Sequence, residues 1–401
     1  MLKGNAIIGQ SGGPTSVINA SLCGVIQTCA KYPEQIENIY GMQYGIEGFM
    51  QEMVINLGKE LPETVEALKS TPSSALGSCR HKMQEADFGP VLELLKKYNI
   101  RYYFLIGGND TMDTIHRIEA YCKSQGYDLI GVGIPKTVDN DLFATDHTPG
   151  FASAARYVAM SIRQAGMLAR DMKRVDQFTV FQTVGRSAGW LPAAAACAKK
   201  NEDDAPHIIL LPERPFEKER FLSEVKAVHQ KYGWVSIVCG EGVCYADGTP
   251  ISASQTDDKF GNKEFGAMGG TSAGMVLHRI LCQEFGWRGE FQITESLQMC
   301  AADRAVPVDI QEAWACGQRA VELAVSGKSG VMVTIIRNSN TPYTWSLGEA
   351  PLKDVALGEK PMPDEFICDD RLFVTDACLE YLRPLVGELP EYVRFQGIRV
   401  E

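Results

Sequence analysis

Short runs of β-branched and aromatic residues alternate with longer stretches of helical periodicity along the whole chain. Residues 5–9 form the first apolar run. A turn of small residues, GQSGGPTS, follows, and residues 17–30 then place Ile18, Leu22 and Ile26 on one helical face. Residues 88–98 read as a helix leading into the run RYYFLIG from Arg101, and residues 111–124 read as the next helix. A second run, GVGIP from Gly131, precedes a long amphipathic helix over 148–172, with Phe151, Ala155, Val158 and Ile162 in register. Residues 177–184 read as a strand and 188–198 as a small-residue helix. Two further strands, 207–211 and 234–239, flank a helix around 221–229. Residues 247–264 are polar and predict an exposed loop. Beyond them the pattern gives a helix over 267–284, with Gly269, Gly270, Thr271 and Ser272 near its start. A strand over 291–297, a helix over 310–326 and a strand over 330–337 follow, before a turn-rich tail containing Pro. Strands alternating with helices in this way predict parallel α/β layers, two of them.

Length supports two lobes, because 401 residues exceed the size at which one core keeps growing. Charged residues make up 22% and hydrophobic ones 45%, an ordinary globular balance. Lys plus Arg number 39 against 50 for Asp plus Glu, a net charge of −11. That sign argues against nucleic-acid or membrane-surface binding, and a small polyanionic substrate would need a local basic pocket working against the overall field. No apolar run reaches eighteen residues, and MLKGNAIIGQ enters a strand directly. The expectation is therefore a cytoplasmic protein without signal peptide or membrane span. The twelve Cys are scattered, form no CxxC pair, and fit reduced core thiols better than disulfides or zinc.

Two of the apolar runs stop in Gly or Pro and then spend polar residues at once, GGNDT and PKTVDND. Ligands of open parallel sheets bind just beyond the carboxyl ends of the strands. Two such ends would bring Gly107, Gly108, Asn109, Asp110 and Thr111 close to Lys136, Thr137, Asp139 and Asp141. The result is a phosphate cradle beside a cation and several carboxylates. Either turn alone is also the pattern of an ordinary βα turn; the pair is the signal. Gly12 and Gly13 precede a helix whose free amides attract phosphate, though GQSGGP lacks the dinucleotide spacing. The loop TPSSALGSCR ends in Arg80, His81 and Lys82, a solvated surface cluster unless the fold carries it to the cradle. Gly327, Lys328 and Ser329 mimic the end of a P-loop, but Glu322 stands where that motif needs Gly, and a helix rather than a strand precedes it.

Taken together, GQSGGPTSVIN, LGSCR, GGNDT, PKTVDND, TVGR and GEG resemble the phosphofructokinase family in order and spacing, from Gly9 to about Arg337. The resemblance implies two parallel-sheet α/β lobes with the active site in the cleft between them. It implies a donor lobe of residues 1–150 plus about 298–350, a sugar-phosphate lobe of 151–297, and a C-terminal extension, 351–401, packed on both. Asp139 matches the family's general base for the sugar 1-hydroxyl, and Arg80 the arginine that steadies the transferred group. Asp141, with Asp110 and Asn109, would hold Mg²⁺ or its water. Gly12, Gly13, Gly108, Asp110, Thr111 and Lys136 match the donor site. Thr137, Val184, Gly185, Arg186 and Glu241 match the sugar-phosphate site, and Arg288 aligns with a phosphate-binding arginine donated across a subunit interface. That last match implies a homodimer or homotetramer.

Asp110 with Lys136 is the family's signature of pyrophosphate dependence. Asp110 places charge and bulk where an ATP α-phosphate would lie, and Lys136 suits the terminal phosphate of a smaller donor. Helix capping by Asp110 alone leaves Lys136 unexplained. Two features depart from the family. Asn109 stands where many members carry a metal-binding Asp, and Ser296 and Met299 replace a His or Tyr and an Arg that grip the sugar 6-phosphate. The expected reaction is Mg²⁺-dependent, reversible transfer from pyrophosphate to fructose 6-phosphate in glycolysis. ATP as donor, or another acceptor such as sedoheptulose 7-phosphate, are the alternatives within the class. A non-catalytic binding subunit is the alternative outside it, and the retained Asp139, Asp141, Arg80 and Lys136 argue against it.

Overall fold

The computed structural model describes residues 2–253, 271–356 and 358–395. Eleven strands are found among them: β1 (Gly4–Gln10), β2 (Ile36–Met42), β3 (Val54–Asn56), β4 (Ile100–Gly107), β5 (Ile130–Pro135), β6 (Phe178–Thr183), β7 (Ile208–Leu210), β8 (Val235–Gly240), β9 (Gly289–Ile293), β10 (Val331–Asn340) and β11 (Tyr343–Pro351). They make two sheets, a seven-stranded one ordered β11-β10-β5-β4-β1-β2-β3 and a four-stranded one ordered β7-β8-β6-β9.

The two central strands of the large sheet, β1 and β4, are buried almost throughout, β1 at every position. A strand covered by helices on both faces reads as a continuous apolar run rather than an alternating one. Chain order departs from spatial order between them: β1 leads outward to β2, whereas β4, on its other side, leads to β5. This is the topological switch point, where a crevice opens beyond the strand ends. The small sheet is parallel throughout, and the loops after β6, β8 and β9 emerge at one edge.

Several expectations need correction. The layers are not wholly parallel, because β3 and β11 pair antiparallel on the two edges of the large sheet. The tail after Arg337 is not merely turns: β10 runs on to Asn340 and returns as β11. Its outer half alternates exposed and half-buried residues, so burial gives no continuous apolar run there. Strand β2 lacked one for the same reason. The helix expected over 188–198 is a short Trp190–Ala194 segment continued by a 3₁₀ turn, Ala195–Ala198. The strand expected over 291–297 is β9, which starts earlier, at Gly289, and already ends at Ile293. Glu295 takes a positive φ of 40° and breaks it, and a four-residue helix, Leu297–Cys300, follows. The helix expected over 267–284 is Ala273–Phe285. Gly269, Gly270 and most of the polar 247–264 stretch lie outside the described residues.

The long helix Phe151–Asp171 buries Phe151, Ala155, Val158 and Ile162 in one core with Trp190 and the C-terminal helix Asp376–Val386. None of the twelve cysteines is paired. No helix among the described residues is long and apolar enough to cross a membrane.

Candidate active site

The first wall of the site is the glycine turn after β1. Gln10, fully buried, donates through Nε2 to Asn19 Oδ1 at 2.9 Å and accepts the Leu76 N–H at 2.9 Å. Asn19 Oδ1 also accepts the Ala75 N–H at 2.9 Å, and its Nδ2 donates to the Thr71 carbonyl at 3.0 Å. These two side chains hold the 71–80 loop against the end of β1. The Gly12 N–H then donates to the Cys79 carbonyl at 3.2 Å, and the Ser78 hydroxyl to the Gly12 carbonyl at 2.6 Å. The basic loop is thereby docked on the glycine turn. Exposed Arg80 comes close enough to Lys136 for its charge to lower that lysine's pKa.

The second wall is built by β4 and β5. Gly107 accepts the Lys136 N–H at 3.1 Å, and Gly108 begins the helix Asn109–Ser124 with no side-chain cap. Thr111 is buried in its first turn, whereas Asp110 is exposed there and faces Lys82 at 3.4 Å. Asn109 Oδ1 is buried and has no hydrogen-bond partner. Lys136, 4% exposed, donates from Nζ to the Gly13 carbonyl at 2.8 Å. A Cβ on Gly12 would stand 3.2 Å from that Nζ, and the φ of +76° at Gly12 also favours glycine. Burial pulls the Lys136 pKa down to about 8; Asp139 and Asp141 oppose the shift and Arg80 adds to it. At neutral pH the lysine is still mostly charged.

Asp139 and Asp141 sit on the loop after β5. The Asp139 N–H donates to Thr137 Oγ1 at 3.1 Å. Between the two acids, fully buried Asn140 at φ 56° accepts the Thr148 N–H at 3.1 Å and donates through Nδ2 to the Tyr381 hydroxyl at 3.2 Å. That hydroxyl donates in turn to the Asp146 carbonyl at 2.8 Å. Lys360 donates from Nζ to the carbonyls of Thr145 and Asp146 at 3.2 and 2.5 Å, and from its N–H to the Asp141 carbonyl at 2.7 Å. The C-terminal segment thus clamps the acidic loop. Behind it His147 bridges Asp146 and the fully buried Glu312 at 2.8 and 2.7 Å, and Arg337 pairs with Asp146 at 3.0 Å. Burial and the Asp141 charge raise the Asp139 pKa to about 6, against Arg186 and Lys136. Asp141 is raised too, chiefly by burial.

The opposite wall comes from the small sheet. Gly185, at φ 112°, donates its N–H to Glu241 Oε1 at 3.3 Å, and a Cβ there would lie 4.0 Å from Asp139 Oδ1. The ends of the two sheets therefore meet at Asp139. A Cβ on Gly242 would stand 1.6 Å from the Arg186 carbonyl, so no other residue fits. Burial and the Asp139 charge raise the Glu241 pKa to about 7; Arg186 lowers it. The Val184 N–H donates to Gln298 Oε1 at 3.2 Å.

The fold thus gathers Gly12, Gly13, Arg80, Gly108, Asn109, Asp110, Thr111, Lys136, Thr137, Asp139 and Asp141 on one side of a cleft, with Val184, Gly185, Arg186 and Glu241 on the other. It does not bring Arg288 there. That residue precedes β9, at the opposite edge of the small sheet, and pairs with Asp176 at 3.0 Å. Sequence reasoning missed Gln10, Asn19, Asn140, Gln298, Lys360 and Tyr381. A polar Gln10 and Asn19 within an apolar strand and helix were a usable signal; Lys360 and Tyr381 gave none, because their partners lie more than 200 residues away.

A sequence profile described as Phosphofructokinase matches residues 5–324. The chain belongs to the phosphofructokinase family. Among curated relatives of this phosphofructokinase-family chain, the pyrophosphate–fructose 6-phosphate 1-phosphotransferase of Halomonas elongata is 38% identical across 100% of this chain and 98% of that protein. A sulfofructose kinase of Alkalicoccus urumqiensis is 34% identical across 90% and 91%. The crystal structure of a pyrophosphate-dependent phosphofructokinase from Nitrosospira multiformis superposes with a TM-score of 0.87 at 37% identity, covering 98% of this chain and 94% of that one.

Proposed function

We propose that this chain is a phosphotransferase moving a phosphoryl group reversibly from pyrophosphate to the 1-hydroxyl of fructose 6-phosphate. The observation that carries the reading is the juxtaposition of a buried lysine, an uncapped helix start and a glycine turn with a carboxylate whose pKa is raised to about 6. Phosphoryl transfer is mostly positioning and charge stabilisation. Lys136, Arg80 and the amides around Gly12 and Gly108 hold the donor. Asp139 accepts the proton of the sugar hydroxyl as the new O–P bond forms and orthophosphate leaves. A pKa near 6 suits a base that works deprotonated at neutral pH. Glu241 and the Val184, Gly185 and Arg186 backbone turn hold the sugar across the cleft.

The residues present fit a magnesium ion. Mg²⁺ binds hard oxygens, usually one or two carboxylates plus substrate phosphates, and keeps several waters. Asp141, Asp110 and the buried, unpartnered Asn109 Oδ1 would supply such oxygens. When bound, the ion would neutralise charge on the donor phosphates.

The donor lobe in this reading comprises 1–150 with about 298–350, and the sugar lobe 151–297. The C-terminal extension begins at 351, its helix Asp376–Val386 packs on the long helix Phe151–Asp171, and the working form is a cytoplasmic homodimer or homotetramer. A coupled assay crossing pyrophosphate and ATP with fructose 6-phosphate and sedoheptulose 7-phosphate tests the reading. Turnover with ATP alone, or with neither donor, rejects it.

A further inference from the structure

The loop that presents Asp139 ends in a group of buried charges that the transfer chemistry leaves unused. His147 and Glu312 are both fully buried. The imidazole has a carboxylate oxygen against each nitrogen: Asp146 Oδ2 lies 2.8 Å from Nδ1, and Glu312 Oε2 lies 2.7 Å from Nε2. A ring with one proton donates from one nitrogen only, and its other lone pair would then face a carboxylate. Both acids accept from elsewhere as well. Asp146 takes the Arg337 Nε–H at 3.0 Å, and Glu312 Oε1 takes the Tyr343 hydroxyl at 2.6 Å. The geometry fits an imidazolium that donates twice, so that His147 and Arg337 together balance Asp146 and Glu312.

From His147 the backbone leads straight back to the base. The Thr148 N–H donates to Asn140 Oδ1 at 3.1 Å, and the Thr148 hydroxyl donates to the Thr137 carbonyl at 2.8 Å. Thr137 and Asn140 lie on either side of Asp139 in the chain, so both flanks of Asp139 hang on Thr148. Just beyond, the Gly150 and Ser153 N–H groups donate to Asp309 at 2.9 and 3.0 Å. Asp309 and Glu312 stand on the helix Pro307–Val325, whereas Arg337 and Tyr343 belong to β10 and β11. His147 is the point at which the helix and the hairpin grip the acidic loop.

Other titratable groups surround the ring and its two carboxylates. Asp309 and Cys316 share the helix with Glu312, and burial raises both. The Tyr343 ring centroid lies 6.3 Å from that of His147, and the Tyr381 hydroxyl donates to the Asp146 carbonyl. Lys360, pulled down to about 8 by burial, holds that same carbonyl. Burial by itself would lower the His147 pKa; the Glu312 and Asp146 charges and hydrogen bonds outweigh it and raise the pKa above the ordinary 6.5. A raised value keeps the proton through neutral pH and gives it up as the pH climbs. Glu312 is then left as a buried charge without its cation, which is strongly unfavourable.

We propose that His147 is a positioning residue for the transfer: its imidazolium, held between Asp146 and Glu312, fixes through Thr148 the backbone that carries Asp139, and turnover falls on the alkaline side when the proton leaves. The inference rests on the reading of Asp139 as the base.

The test follows kcat at saturating pyrophosphate and fructose 6-phosphate from about pH 6 to about pH 10 in the full chain, in His147→Gln and in Glu312→Gln. The parent should hold its kcat through neutral pH and lose it on the alkaline side. His147→Gln should lower kcat about tenfold or more, keep both KM values within about threefold, and show no alkaline fall. Glu312→Gln should move the fall to lower pH by about one unit or more, because the charge that holds the proton is gone. Lys136 meets the donor, so its titration near 8 shows in the pyrophosphate KM instead. A fall that belongs to Lys360 would survive in His147→Gln. Imidazole NMR of the unmodified chain with labelled histidine needs neither a substrate nor a variant at 147. The His147 signals, assigned by replacing the other five histidines one at a time, should show both nitrogens protonated at about pH 7.5, where a free imidazole is mostly neutral. A flat alkaline profile in the parent, a fall that persists in His147→Gln or stays in place in Glu312→Gln, or a neutral His147 ring would each overturn the proposal. Asp139→Asn on the same assay separates the two readings. If it keeps the parent's turnover while His147→Gln is slow and lacks the alkaline fall, the base reading fails and the positioning role stands.

Discussion

Tyr381 is the most direct probe of the C-terminal segment, because one hydroxyl ties it to the catalytic loop. That oxygen accepts from Asn140 Nδ2 at 3.2 Å and donates to the Asp146 carbonyl at 2.8 Å. Tyr381→Phe keeps the ring, which packs on Trp190 and Phe366 and lies under the Arg337 guanidinium. Only the two hydrogen bonds go. Each contributes about 0.5–1.5 kcal/mol, and leaving a buried partner unsatisfied costs about 1–3. A net loss of about 2–3 kcal/mol is therefore expected. With an unfolding entropy of about 2.1 cal/mol/K per residue over the whole chain, that lowers Tm by about 3 °C. The catalytic effect should be larger than the stability effect suggests. Asn140 stands between Asp139 and Asp141 in a left-handed conformation, and misplacing a reacting group by about 1 Å can cost about 10²-fold in rate. Turnover should fall about tenfold or more while the KM for pyrophosphate changes little. Tyr392→Phe is the control: among the described residues this hydroxyl takes an exposed bond from Gln164 at 3.0 Å, so both quantities should stay near those of the parent. An unchanged turnover in Tyr381→Phe, or an equal loss in Tyr392→Phe, would refute the clamp.

Asp139→Asn should lower turnover by at least the roughly 10²-fold expected of a lost general base, measured at saturating substrates; turnover within a few-fold of the parent removes Asp139 from that role. Because Asp139 works deprotonated and its pKa is raised to about 6, kcat/KM should fall as pH drops below about 6, and a profile flat down to pH 5 would contradict this. Glu241→Ala should raise the sugar KM far more than that of pyrophosphate, since only sugar hydroxyls lose an acceptor; equal effects would place Glu241 on the wrong side of the cleft. Lys136→Gly combined with Asp110→Gly should lose pyrophosphate activity and gain measurable ATP activity, read as steady-state rates with each donor, and a parent protein that already prefers ATP would defeat the reasoning.

The sequence by itself determined the α/β alternation, the buried central strands and the motifs at their ends, because these depend on local periodicity and on turn residues with fixed backbone demands. Lys136, Asp139 and Glu241 were legible for that reason: Lys136 and Glu241 follow directly on strands whose ends the apolar pattern marks, and Asp139 lies on the loop that Lys136 begins. Tertiary structure alone decided how those ends became one site. Gln10 and Asn19 lift a polar surface-like loop onto the glycine turn, which puts Arg80 beside Lys136. Tyr381 and Lys360 hold the acidic loop from more than 200 residues away. The antiparallel edges β3 and β11 were hidden because half-exposed strands carry no continuous apolar run. Arg288, before rather than after β9, lies at the edge of the sheet away from its own chain's cleft, and the role expected of it concerns the site of a second subunit. Local patterns report which side chains end a strand; only packing between distant segments decides which of them face one another.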